Sequence, residues 1–460
     1  MTMMASAMDR LLWAAVVLLL YGGFCLALYR QRRVLRQRAR RAADALVPAA
    51  EGAAPVLVAF ASQTGFAEQL AWQTARVLHT AGVPALLRPL GEITPDELQR
   101  CERALFIVST YGEGDPPDTA AAFTRRSMGA ELALHGLSHG VLALGDRAYA
   151  NFCGFGKTLD GWLRSRGAQP LFERVEMDNA DASALQQWQH LVGRVAGTSD
   201  LADWQAPAFE PWPLLARRLL NEGSSGGPCF HLEMRPPAGA QWEAGDLVQV
   251  LAPGDPDRPR EYSIASLPQD GTLQLLVRQE RHADGTLGLA SGWLTQEAAV
   301  GGAVPLRLRP HRNFRIGDNT ARPLLLIGNG TGLAGLRGHL KARARLDAGS
   351  RAPCWLVFGE RQAAHDRYFA DEIAAWQASG VLAHADLVFS RDTPQRRYVQ
   401  HHLREQAARL QAWLADGMAI YVCGSLEGMA TAVDDTLADV LGRDTLDRLA
   451  EQGRYRRDVY

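Results

Sequence analysis

Four groups of residues in this chain have the types and spacing to hold phosphates, planar rings and a transferable hydride. The first is Ser62-Gln63-Thr64-Gly65-Phe66-Ala67, which follows an apolar run at 55–61 and precedes a helical pattern. Hydroxyls and backbone N–H groups at the start of a helix make a nest for a phosphate dianion. The second is a pair of glycine-rich strand ends. Ser109-Thr110-Tyr111-Gly112 leads into Glu113-Gly114-Asp115-Pro116, and Gly145-Asp146 leads through Tyr149 to Asn151-Phe152-Cys153. Each puts an aromatic side chain on a loop where backbone can approach a ring, and Tyr111 and Tyr149 on neighbouring loops could sandwich a planar one. The third is Arg260-Glu261-Tyr262-Ser263 with Gly288-Leu289-Ala290-Ser291 downstream. An Arg fork matches a pyrophosphate, a Tyr packs on a ring, and a Ser hydroxyl can serve a reacting nitrogen. The fourth is a glycine turn, Gly328-Asn329-Gly330-Thr331-Gly332, followed by Ser390-Arg391 with Arg396, Tyr398 and Gln400. Glycines at a strand–helix turn admit a pyrophosphate. A hydroxyl and two cations can grip a 2′-phosphate while Tyr398 stacks on adenine, which favours NADPH over NADH.

The elements that must position these groups fall into three blocks. Residues 55–62, 103–110 and 140–146 are unalternated apolar runs, with an amphipathic helix stopped at Gly82 between the first two. That pattern predicts buried parallel strands with loops at their carboxyl edge over 55–201. Residues 202–215, with three prolines and two tryptophans, read as a stiff linker or strap. Short alternating runs over 216–320 predict a small antiparallel barrel. From 321 to 460 the α/β alternation returns.

Composition sets the outer limits. At 460 residues the chain has room for about three domains, and 47% hydrophobic with 22% charged content fits a globular protein. A net charge of −1 offers no case for a nucleic-acid partner. Lys157 and Lys341 are the only lysines, so phosphate contacts must rely mainly on Arg. The cysteines at 25, 101, 153, 229, 354 and 423 show no paired spacing, which predicts no disulfide framework, no metal site and a reducing compartment. Residues 11–29 are uncharged and mostly apolar, and arginines 30, 32, 33, 36, 38, 40 and 41 follow at once. This predicts a retained single-pass anchor within 1–30 and a basic, Ala-rich tether over 31–54. The catalytic domains would lie on the cytoplasmic side of the inner membrane.

Taken together, the motifs resemble the diflavin reductases, which include sulfite reductase flavoproteins and NADPH–cytochrome reductases. The resemblance covers about residues 55–460. It implies a flavodoxin-like doubly wound sheet holding FMN, an FAD-binding antiparallel barrel and an NADP-binding α/β domain of the ferredoxin–NADP reductase type. By that resemblance Ser62 to Ala67 hold the FMN phosphate, Tyr111 and Tyr149 flank its ring, Gly112 approaches its reducible edge, and Asp178 lies near it. Ser263, Cys423 and Asp458 assist hydride transfer, and Tyr460 covers the FAD until nicotinamide displaces it. Electrons would run from NADPH through FAD and FMN to a one-electron acceptor. The candidates are a haem protein such as the sulfite reductase haemoprotein, or a membrane redox partner. The alternatives are a ferric-chelate reductase and a non-catalytic electron-carrier module with a decayed NADPH site. The chain departs from the family pattern at several points. Phe66 replaces a small polar residue, Asn329 and Gly335 replace prolines, and Ser425 replaces an acidic residue. The helical connecting insert before the Arg-x-Tyr-Ser strand is missing.

Overall fold

The computed structural model describes residues 54–147, 149–179, 181–198, 208–255, 259–282 and 284–460. The expected anchor and most of the basic tether lie outside these residues. Among the described residues, no helix is long and apolar enough to cross a membrane.

The first domain is a parallel sheet of β1 (Val56–Ala61), β2 (Ala85–Pro89), β3 (Arg103–Ser109), β4 (Ser138–Gly145), β5 (Gln169–Pro170) and β6 (Val175–Asp178). Its order is β2-β1-β3-β4-β5, with β6 also on β4. The apolar runs lack alternation because both faces are covered. Successive residues feed opposite cores: Val56, Val58, Leu105 and Ile107 pack on one side, and Leu57, Ala59, Phe106 and Val108 on the other. Helix α1 (Phe66–Thr80) leaves β1 through Gly65, whose φ of 92° is in the left-handed region that favours glycine. Helix α2 (Ala182–Ala196) is pinned to α1 by buried Trp188, whose Nε1 donates to Thr74 Oγ1 at 3.0 Å.

The second domain comprises β7 (Glu210–Leu219), β8 (Cys229–Met234), β9 (Leu247–Val250), β10 (Arg260–Ser263), β11 (Leu273–Arg278) and β12 (Ala303–Arg309). The order β10-β9-β12-β7-β8-β11 closes through an Ile264–Leu275 bridge, as a barrel must. One expectation is corrected here. Residues 210–215, read as part of a linker, form the first half of β7. The prolines misled because Pro normally interrupts a ladder. Here Pro211 and Pro213 pair with β12, and β8 joins in register only from Leu214 onward. Trp212 is not a strap but barrel core, beside Trp242. Arg260 pairs directly with Val250, so β9 and β10 form a hairpin with no helical domain between them.

The third domain is a parallel sheet of β13 (Leu324–Asn329), β14 (Cys354–Glu360), β15 (Leu382–Phe389), β16 (Ala419–Gly424) and β17 (Tyr455–Val459), in the order β15-β14-β13-β16-β17. The charged string 455–459 does not look like a strand, yet it joins the sheet edge with Asp458 paired to Cys423.

The first domain docks on the other two. Arg457 meets Asp118 at 2.5 Å, Gln63 Nε2 donates to the Arg457 carbonyl at 3.0 Å, and Arg125 pairs with Asp447 at 2.8 Å.

Candidate active site

All three domains line one cleft of about 1230 Å³. Single-ligand pockets run to about 1,000 Å³, so this volume suits more than one ring system. Gln63 to Phe66, Ser109 to Gly112, Gly145, Asp146, Tyr149 and Asn151 to Cys153 line one wall. Arg260, Tyr262, Ser263, Ser291, Thr331, Asp458 and Tyr460 line the other.

The first wall is a set of strand-end loops tied together. Gly65 N donates to Ser62 Oγ at 2.7 Å, Gln63 N to Ser109 Oγ at 3.1 Å, and Ser62 N to Thr119 Oγ1 at 3.1 Å. Reciprocal backbone bonds of 2.9 Å between Tyr111 and Asp115 hold the tyrosine loop. Asn151 Nδ2 ties the next loop to the Glu113 carbonyl at 2.7 Å. Thr110 Oγ1 and Tyr111 OH are buried without a partner in the protein. Buried polar groups are costly unless bonded; the Tyr111 ring also packs with the third domain's apolar cluster, the Arg457 guanidinium 5.2 Å from its centroid, so it serves the interdomain contact as well as the cleft wall. Burial raises the pKa of the Tyr149 phenol, which keeps it protonated. The Cys153 thiol is pushed up to about 12, chiefly by burial, and bonds to the Ala143 carbonyl at 3.2 Å. It is therefore a poor nucleophile.

Ala67, expected in the phosphate loop, and Asp178, expected near the ring, keep their side chains out of the cleft. Ala67 points into the core beneath α1. Asp178 does not line the cleft; its Oδ1 accepts from Arg147 N at 3.1 Å and so shapes the Tyr149 loop. Its neighbour Asn179, which has a positive φ, faces the cleft instead.

The second wall carries the residues expected to assist hydride transfer. Ser263 ends β10, and Asp458 sits on β17 beside Cys423 on β16. Ser263 Oγ donates to Asp458 Oδ2 at 2.7 Å, and Cys423 Sγ donates to the same oxygen at 3.6 Å. Burial, and next the Asp458 charge, raise the Cys423 thiol well above its ordinary value, so it stays protonated. Asp458 is 8% exposed, which shields this charge-assisted arrangement from water. The terminal Tyr460 is 47% exposed at the mouth, held by Thr331 Oγ1 at 3.0 Å and by its own N–H to the Gly424 carbonyl at 3.0 Å. Those few tethers suit a cover that must swing aside. Ser291 Oγ accepts from Glu280 N at 3.1 Å beside Gly288, at the start of a short helix (Leu289–Gly292). Arg260 is braced by Asp255 at 3.3 Å.

The glycine turn follows β13. A Cβ on Gly332 would meet the Cys423 carbonyl at 2.0 Å, so only glycine lets this turn close. Asn329 Oδ1 accepts from the Ser425 backbone N–H at 2.9 Å, so the Asn329 side chain ties the glycine turn to the end of β16. A side chain on Gly335 would crowd the Cys423 thiol at 3.3 Å. Gly330, Thr331 and Gly332 form a single 3-10 turn leading into the helix Leu333–Ala344. Beyond β15, Arg391 Nη1 reaches Tyr398 OH at 3.2 Å and Ser390 Oγ at 3.4 Å. Arg391, Arg396 and Tyr398 are exposed and Gln400 is half-buried, away from the common cleft but at the carboxyl edge of the same sheet.

Several cleft residues went unrecognised in the sequence. Arg307 and Arg309 share one face of β12, and Arg278 ends β11 against Glu360 and Tyr368. The signal was present for the first two: Arg307 and Arg309 alternate with Leu306 and Leu308 at the strand period.

Comparison with known proteins agrees with this geometry. Residues 58–189 match the flavodoxin family model, and residues 326–435 match the oxidoreductase NAD-binding domain. The sulfite reductase [NADPH] flavoprotein alpha-component of Bacillus subtilis is 26% identical over 554 aligned positions, covering 91% of each chain. Its counterpart from Neisseria meningitidis serogroup B is 27% identical, covering 92% of this chain and 93% of its own. The Serratia proteamaculans protein is 27% identical, covering 90% and 92%. An alignment of 554 positions exceeds the 460 residues here, so the Bacillus protein carries segments with no counterpart in this chain.

Proposed function

We propose that this NADPH-dependent flavoprotein reductase, built to hold FMN and FAD, delivers single electrons to a haem protein from a membrane-tethered position. When bound, the two flavins would supply the conversion of a hydride pair from NADPH into single electrons, with the first wall holding FMN and the second FAD. The observation that carries this reading is the shared cleft, in which the loops of the flavodoxin-like domain face Arg260, Tyr262 and Ser263 with no domain between. Ser263 and Cys423 are held as protonated donors on one carboxylate oxygen of Asp458. This arrangement presents a fixed hydroxyl where hydride arrives and excludes water behind it. Arg391, Ser390 and Tyr398 offer a prearranged fork, hydroxyl and ring for a 2′-phosphate and adenine. The haem acceptor is proposed because the similar proteins are flavoprotein components of sulfite reductase. Tethering is proposed from the apolar run at 11–29 and the arginines behind it.

The test separates acceptor from tether. Full-length protein and a variant lacking residues 1–53 are fractionated after expression. Each is then assayed with NADPH against the sulfite reductase haemoprotein and against washed membranes containing haem proteins. The reading expects full-length protein in the membrane fraction, truncated protein in the soluble fraction, and NADPH-dependent haem reduction by both. Reduction of neither haem source would remove the acceptor assignment. Full-length protein in the soluble fraction would remove the tether.

A further inference from the structure

The phosphate loop, residues 62–67, offers hydroxyls and N–H groups but no basic side chain. Position 66 contributes a phenyl ring where the resemblance implies a small polar residue. The first turn of α1 adds a negative charge at Glu68. Arg76 also lines the cleft, but it lies ten residues along α1, about 15 Å from the loop by helical rise. Hydroxyls, N–H groups and the helix start can hold a phosphate dianion there, but no full positive charge of the loop itself stands beside it.

The barrel supplies what the loop lacks. Arg309, the last residue of β12, crosses the domain boundary so that its Nη2 donates to Thr64 Oγ1. Its guanidinium lies 5.6 Å from the centroid of the Phe66 ring. Glu261, on β10, pairs with Nη1 and aims the fork. A guanidinium carries five donors, so these contacts leave others for an anion. The loop and barrel also meet where Asn313 Nδ2 donates to the Ser62 carbonyl and where Arg312 pairs with Glu68 at 2.9 Å. Arg309, Thr64 and Phe66 all line the shared cleft.

We propose that Arg309 is a phosphate ligand supplied in trans: the barrel domain completes the FMN 5′-phosphate site of the flavodoxin-like domain. FMN binding and domain docking are then linked, and by reciprocity each strengthens the other by the same factor. The inference rests on the assignment of this loop to FMN.

Full-length protein with FAD retained and FMN removed by dialysis is titrated with FMN and, separately, with riboflavin, following flavin fluorescence. Arg309→Ala, Arg309→Lys and Arg125→Ala are compared with the unmodified chain. Arg309→Ala is expected to weaken FMN binding about tenfold, the size of one lost charge-assisted contact. Riboflavin binding should not move, because riboflavin has no phosphate. Arg309→Lys should restore part of the loss. Arg125→Ala breaks an interdomain ion pair made by a different segment, so it acts on FMN only through docking and should weaken FMN binding far less than Arg309→Ala. If Arg309→Ala does not retain FAD, Arg309→Gln is read in its place. An unchanged FMN constant, or FMN and riboflavin constants that fall together, would overturn the proposal. Failure of the unmodified chain to take up FMN would instead overturn the assignment of the loop.

Discussion

Replacing Asp458 with Asn tests the hydride site at its most connected atom. Asp458 Oδ2 accepts from Ser263 Oγ at 2.7 Å and from Cys423 Sγ at 3.6 Å, and Oδ1 faces His311 Nδ1 at 3.7 Å. Burial is the main cause that lowers the pKa of His311, with the Asp458 charge acting against it. The imidazole is therefore neutral near pH 7, and the carboxylate is the charge that orders the group. Asn keeps the shape and removes that charge. Hydrogen bonds to charged groups contribute about 1.5–3 kcal/mol and neutral ones about 0.5–1.5. The Ser263 contact therefore loses roughly 1–1.5 kcal/mol, or about tenfold in the rate of flavin reduction. Asp458→Ala also leaves the Ser263 hydroxyl and the thiol without their acceptor, and should slow the step by about a hundredfold. The assay is anaerobic stopped-flow mixing with NADPH, following loss of flavin absorbance, with FAD content measured on every sample. Ser263→Ala acts on the same bond, so the double variant should be little slower than the slower single variant. A wild-type rate in Asp458→Asn at full FAD content, or single effects that simply add, would refute the reasoning.

Three further outcomes follow from named contacts. Arg391→Ala should raise KM for NADPH about tenfold and leave KM for NADH unchanged, since only the 2′-phosphate needs the fork; steady-state kinetics with both nucleotides checks this. Thr74→Val leaves the buried Trp188 N–H unpaired and should cost about 1–3 kcal/mol, read from denaturant unfolding of the flavodoxin-like domain. The buried His139–Asp160 pair, 3.0 Å apart, should make that domain acid-sensitive. Burial lowers the His139 pKa despite the bond to Asp160, so stability is full above about pH 6.5 and falls below it, as the unfolded chain gains a proton first. Burial acts to raise the Asp160 pKa, but bonds from His139 and Arg164 outweigh it, so its contribution is lost only as pH falls below about 4. His139→Gln should flatten the stability profile just below about pH 6.5 and leave the limb below about pH 4.

Local chemistry was legible where a residue type and its turn act together. Gly65 before α1, the two tyrosine loops, and Ser263 at a strand end could all be read directly. What stayed hidden depends on pairing across long separations. Asp458 could be assigned a role only through resemblance, because a string as charged as 455–459 shows no strand pattern until β16 provides a partner. Alternation along β12 sets Arg309 on one face with Arg307, but nothing local reveals that another domain lies on that face. Pro211 and Pro213 argued for a linker because the rule against proline in strands is local, whereas the exemption comes from where β8 begins. Asp178 was placed at the ring by analogy and instead orders the loop beside it.

The central claim is that the flavodoxin-like domain and the barrel share one cleft, so that electrons from NADPH reach both flavins of the same molecule. The most direct test is anaerobic reduction of the purified full-length chain with excess NADPH, after its flavins have been quantified. The account expects one FMN and one FAD per chain, with both reduced by NADPH at a rate independent of protein concentration. A single flavin per chain, or an FMN that stays oxidised until dithionite is added, would contradict it.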